Sequence, residues 1–135
     1  MKFFLKFPTG GPTTIVLALI LYATLTPNPV EIDPEFMFPH MDKVIHFIMF
    51  FFLVWAMAFD TAKITKSTEL PTLQLRLIVA AAFVVGMLTE LLQSIMEAGR
   101  TGALDDLVAD VIGALVAMIT SRWIVRLLLP SYKEK

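Results

Sequence analysis

Three short stretches of this sequence collect the side chains best suited to chemistry. Asp42, Lys43 and His46 make up the first. Glu90, Gln93 and Glu97, followed by Arg100, make up the second, and Asp105, Asp106 and Asp110 the third. Carboxylates beside an imidazole can pass a proton to or from a reacting group. Glu90, His46 and Asp106 are therefore the candidate catalytic residues, with Asp42 one turn before His46 as a partner for its ring. Lys43 and Arg100 suit an anionic head group, because guanidinium geometry fits phosphate. Asp42, Gln93 and Asp110 complete the candidate binding set, with Glu90, Asp106 and Asp110 offering hydrogen bonds to sugars or amines. Glu90, Asp106 and Asp110 would equally suit a hard cation such as Mg²⁺ or Ca²⁺, which takes oxygen ligands. Zinc is disfavoured, since the only histidines are His40 and His46 and Pro39 stands beside the first. No residue is assigned as a metal ligand, and no cofactor is identified. The absence of cysteine excludes disulfides, thiolate metal sites and a cysteine nucleophile.

The chain that must position these groups is unusually apolar. Of its 135 residues 57% are hydrophobic and 17% charged, with a mean hydropathy of +0.75. Soluble domains carry about 25% charged residues, so this chain lacks the means to cover itself with solvated surface. Its length allows one domain, 1–135. A net charge of −1 provides no basic field for nucleic acid, and no glycine-rich phosphate loop follows a strand. Apolar stretches at about 13–25, 44–59, 77–96 and 103–119 read as membrane spans, with an amphipathic piece at 123–129 trailing the last. The first is short against the ~20 residues a span needs, and 3–7 is expected to add apolar length at the interface. Apolar residues run all round these segments, the pattern of helices solvated by lipid. Helices also satisfy their own backbone, as a bilayer requires. The expected fold is an all-α membrane protein, a bundle of four transmembrane helices in the bacterial cytoplasmic membrane. Lys2 and Lys6 ahead of an apolar stretch imitate a signal peptide, but no small-x-small cleavage site follows, so the first span reads as a retained anchor.

Basic residues set the orientation. With the N-terminus inside, nine of the eleven Lys and Arg residues fall in cytoplasmic segments, and only Lys43 and Arg100 lie outside. Both termini are then cytoplasmic, and the acidic loop 27–42 faces out. All three polar stretches consequently gather at the outer end. Glu90 lies ~9 Å below the end of its span at a rise of ~1.5 Å per residue, with Asp110 about as deep and His46 nearer the surface. Glu90, Gln93 and Glu97 share one helix face, as do Asp106, Asp110 and Gly113. Below them come Ala82 and Gly86, and Gly113 and Ala117, small residues that let helix backbones approach in lipid. Asp105 also suits the positive end of a helix dipole. Carboxylates within a span cost a few kcal/mol and point to function by default.

In order and spacing, Asp42-Lys43-x-x-His46-Phe47, Glu90-x-x-Gln93, Arg100 and Asp106-x-x-x-Asp110-x-x-Gly113-Ala114 resemble the VanZ-like family, whose namesake is associated with teicoplanin resistance. The resemblance covers nearly the whole chain, including Thr26-Pro27 ahead of the first motif. It departs at Asp110, where the family pattern usually has asparagine, and the added carboxylate makes the site more negative. The resemblance implies a cell-envelope membrane protein linked to glycopeptide susceptibility.

Two functions of different class follow. The first is a site that binds or modifies an anionic envelope lipid or lipid-linked cell-wall precursor at the outer leaflet. The second is a non-enzymatic scaffold or sensor whose carboxylates and Arg100 form a structural network. A transporter fits less well, because one chain of four spans without an internal repeat makes a poor pathway, although association between copies would alter that.

Overall fold

The computed structural model describes residues 6–26, 38–96 and 104–129. They form four helices, α1 (Gly11–Leu25), α2 (Met41–Thr65), α3 (Thr72–Met96) and α4 (Leu104–Leu128), and no strand. At ~1.5 Å per residue the three long helices reach about 37 Å, more than the ~30 Å of a hydrocarbon core. All three are apolar enough to cross a membrane, whereas α1, with 15 residues, is shorter. Large apolar side chains face outward on every helix, among them Leu19, Leu77, Ile95, Ile119 and Leu127, each at least half exposed. Water would penalise that surface; lipid does not. The chain is a membrane bundle of helices.

The long helices overrun the apolar windows that mark them in the sequence. α2 continues past Phe59 to Thr65, α3 begins before Leu77, and α4 runs without a break through 119–123. The amphipathic piece at 123–129 is therefore the last part of α4 rather than a separate element. The reason is physical: backbone bonds propagate a helix wherever propensity allows, whereas hydropathy marks only the part suited to lipid.

Local chemistry sets the helix ends. Gly10 takes φ +84° ahead of α1, a left-handed turn that glycine adopts without strain, and Pro12 follows in the first turn. Thr26 closes α1 in an extended conformation, as the residue before a proline should. At the far end of α2, Lys66 turns left-handed and its N–H bonds the Ala62 carbonyl.

The bundle is organised about α2 and α4, which pack more extensively than any other pair. Both helices bury small residues: Ala58 and Ala62 on α2, and Gly113, Ala114 and Ala117 on α4. Gly113 is the closest approach, since a Cβ there would overlap the Phe47 carbonyl oxygen and lie 3.1 Å from the Phe47 Cα. Trp55 Nε1 then donates to Thr120 Oγ1 at 2.9 Å, a polar tie within the same contact. Phe47, Phe51, Phe52 and Trp55 form a stacked and edge-on aromatic run along α2.

A second set of bonds fixes the opposite end of the bundle. Asp60, buried near the end of α2, accepts hydrogen bonds from Gly10 N, Thr13 N and Thr13 Oγ1, so it caps the start of α1 from another helix. Lys63 Nζ donates to the Phe7 carbonyl. Arg122 donates to the Leu70 carbonyl and Thr72 Oγ1, and Arg126 pairs with both oxygens of Glu69, so α4 holds the turn between α2 and α3.

The backbone that Gly113 faces cannot move aside as a side chain would. Gly113→Ala is expected to destabilise the protein by about 1–3 kcal/mol, the usual cost of overpacking. Leu115→Ala, on the lipid-exposed face, is expected to leave stability nearly unchanged. Unfolding temperatures of the two variants in one detergent check this.

Candidate functional site

At the end of the bundle opposite Asp60, α2 and α4 begin and α1 and α3 finish. The polar residues of the sequence come together there in two layers. The outer layer is a cluster around Lys43, whose Nζ lies 3.1 Å from Asp42 Oδ2, 3.0 Å from Asp105 Oδ2 and 3.5 Å from Asp106 Oδ1. Asp42 and Asp105 are exposed, while Asp106 turns inward. One ammonium thus serves three carboxylates drawn from the first turns of two helices.

The inner layer is buried. His46 Nδ1 and Asp110 Oδ1 are hydrogen-bonded at 2.9 Å across the α2–α4 contact, with His46 6% and Asp110 1% exposed. Glu90 approaches from α3, so that one ligand atom each from His46, Glu90 and Asp110 lie within 4.8 Å of one another. Both Glu90 carboxylate oxygens are buried. Glycine again makes the approach feasible. A Cβ at Gly86, one turn before Glu90 on the same face, would stand 3.0 Å from Asp110 Oδ2 and 3.4 Å from Phe50 Cε1.

The partner of His46 is therefore Asp110, and the pairing with Asp42 expected from their spacing is not what the bundle makes. A four-residue separation puts Asp42 and His46 on one helical face, but Asp42 sits at the surface and hydrogen-bonds Lys43. His46, a turn deeper, meets the helix that Gly113 brings alongside. Gln93, expected to bind a ligand, is also committed: its Nε2 donates to the Thr24 carbonyl at 2.7 Å, both residues being buried. That carbonyl is one of those left without an intrahelical partner at the end of α1, so the bond fastens α1 to α3. Glu97 and Arg100 lie outside the described residues. His40, at the start of α2, takes φ +63° and belongs to neither layer.

Asp60 escaped the sequence reading altogether. Ending the second span at Phe59 left it just outside, although a lone acid beside an apolar run was the available signal. Its three bonds to the start of α1 explain its burial and give it a structural role.

A groove of about 300 Å³ leads away from the inner layer among α2, α3 and α4. Its walls are Phe50, Val79, Ala80, Phe83, Val111 and Ala114, with Asp110 and Arg76 also lining it. A second groove of about 270 Å³, among α1, α2 and α4, is walled by apolar residues such as Ile15, Trp55 and Ile124 and has no titratable group. Only the first of these two connects lipid-accessible space with a buried carboxylate.

The geometry makes a distinction that a double-mutant cycle can read. His46→Ala combined with Asp110→Ala is expected to show a coupling of about 1–3 kcal/mol, as contacting members of a buried network do. The corresponding cycle between Asp42 and His46 is expected to show none. Chemical or thermal unfolding in detergent micelles provides both values.

Comparison with known proteins agrees with this architecture. No curated protein and no solved structure matches the chain. The profile of the VanZ/LLP1 family does match, over residues 5–126. That match spans α1, α2 and α3 entire and α4 as far as Arg126, and it includes both polar layers. The chain is a member of the VanZ/LLP1 family.

Proposed function

We propose that this protein binds, and acts upon, the head group of an anionic envelope lipid or lipid-linked cell-wall precursor at the outer leaflet of the cytoplasmic membrane. The observation that carries this reading is the groove with Asp110 in its wall. It offers an acyl or prenyl chain a place between helices while directing the head toward His46, Glu90 and Asp110. Lys43 stands at the surface above them, where it already offsets part of the charge of Asp42, Asp105 and Asp106.

Orientation supports the same reading. Lys63, Lys66, Arg76, Arg122 and Arg126 belong to the end of the bundle away from the polar layers, so the bias of basic residues toward the cytoplasm favours an outer position for the polar layers. Both termini are then cytoplasmic. Within the site, Asp110 on Nδ1 would fix the His46 ring and leave Nε2 as the proton acceptor, the arrangement of a base held by an orienting carboxylate. Transfer or hydrolysis at a phosphate or ester of the bound lipid is the chemistry this would serve. The family's association with glycopeptide susceptibility is in keeping with a change made to an envelope lipid or precursor.

One observation favours the alternative of a non-catalytic scaffold. Gln93 spends its side chain on Thr24, and a polar network of that kind can be structural throughout. The two readings differ in what a variant does: a scaffold variant loses abundance, whereas an enzyme variant persists without turnover.

Mass spectrometry of envelope lipids and cell-wall precursors tests the proposal. Cells carrying wild type, Glu90→Gln, Ala80→Trp or no protein are compared at matched membrane levels. Ala80→Trp fills the groove without touching the polar layers. A species that appears or disappears with wild type alone is the expected result, and its mass difference identifies the change. Identical profiles from equally abundant proteins would reject lipid chemistry and leave the scaffold.

A further inference from the structure

We infer that His46, Glu90 and Asp110 form a binding site for one divalent transition-metal ion of the Zn²⁺ or Mn²⁺ kind. The inference rests on the arrangement of these side chains and does not depend on which lipid the protein takes. An imidazole nitrogen and two carboxylate oxygens make a mixed donor set. Imidazole suits Zn²⁺ and similar ions, carboxylates extend the choice to Mn²⁺, and neither Mg²⁺ nor Ca²⁺ gains from the nitrogen.

Three observations support a common ion. The first is separation. Ligands ~2.1 Å from one ion stand about 3–4 Å apart, and the three atoms here lie within 4.8 Å of one another. A rotamer adjustment of well under a helical turn closes the set. His46 Nδ1 and Asp110 Oδ1, at 2.9 Å, are already at a spacing that two ligands of a small ion can share. In that case the ion replaces the hydrogen bond, and His46 serves as a ligand in place of the proton acceptor.

The second observation is the state of Asp110. It is 1% exposed, and while Oδ1 is engaged by His46, Oδ2 has no hydrogen-bond partner. A buried carboxylate oxygen left in that state is costly. Oδ2 faces α3 across Gly86, where even a methyl group would stand 3.0 Å from it, and Glu90 is the next residue on that face. The unpartnered oxygen of Asp110 thus lies on the side from which α3 brings Glu90.

The third is charge and access. A divalent ion neutralises two carboxylates at once in a medium where a lone charge is expensive. The three protein ligands also leave a tetrahedral ion with an open position, the arrangement of catalytic rather than structural sites. Asp110 lines the groove, so a phosphate or ester oxygen of a molecule seated there is suited to take that position. The low histidine count set zinc aside at the level of sequence. One histidine is enough here, because α3 and α4 each bring a carboxylate.

The test uses the full chain purified in detergent, stripped with chelator and reloaded with Zn²⁺ or Mn²⁺, with Mg²⁺ as contrast. Metal content after desalting is read by mass spectrometry, and unfolding temperature before and after loading. One ion per chain is expected for Zn²⁺ or Mn²⁺, with a raised unfolding temperature. His46→Gln, Asp110→Asn and Glu90→Gln are each expected to weaken binding by about tenfold or more. His40→Gln, which lies outside the site, is expected to retain it. Folded wild type that keeps less than about a tenth of an ion per chain, or a folded His46→Gln that binds as tightly as wild type, overturns the inference. Should none of the ligand variants fold, wild-type stoichiometry decides alone. Failure here leaves the lipid proposal standing, because that is read in lipid profiles.

Discussion

The carbonyl of Phe47 occupies the space where a side chain at position 113 would begin. Because residue 113 is glycine, α2 and α4 meet backbone to side-chain-free backbone, and the other features of the polar end follow from that contact. It fixes the register in which His46 faces Asp110. It also lets Trp55 reach Thr120, farther along the same pair of helices. In lipid such an approach has no hydrophobic drive of its own, so dispersion between closely packed backbones and a few polar ties must sustain it. Gly86 repeats the device on α3, where it admits the Asp110 carboxylate. Two glycines therefore do for the polar centre what no polar residue could do for itself.

The two ends of the bundle use acids in opposite ways. Asp60 is surrounded by donors, accepting from two backbone amides and a hydroxyl, and its chemistry is exhausted in holding α1. Asp110 has one strong partner and an oxygen to spare. An acid with both oxygens engaged stabilises; one with a vacant oxygen beside a histidine and a second carboxylate is equipped to bind or react. The distinction separates the residues of a fold from those of a site, and burial alone does not make it, since both acids are buried.

Much of this was legible in the order of residues. Mean hydropathy and the all-round apolar pattern gave the bundle, and the i, i+4 and i, i+7 spacings put Glu90, Asp110 and the small residues on the faces where they are found. Spacing within one helix could not reveal which residue of another helix answers it. That is why His46 was matched with Asp42, its neighbour in sequence, when the contact at Gly113 gives it Asp110. The bond that Gln93 makes was hidden for a similar reason. Its partner is a backbone carbonyl at the end of α1, and carbonyls carry no sequence signature. Asp60 was lost because hydropathy ended the span where the helix continued.

The functional account requires that the polar layers open to the outside of the cell. Because the chain has no cysteine, single cysteines report sidedness without background. Asp42→Cys stands beside the Lys43 cluster and Lys66→Cys at the far end of α2, both at exposed positions. Labelling in intact cells with a membrane-impermeant maleimide should modify Asp42→Cys directly and Lys66→Cys only after the membrane is opened. The reverse pattern would put the site in the cytoplasm and contradict an outer-leaflet function.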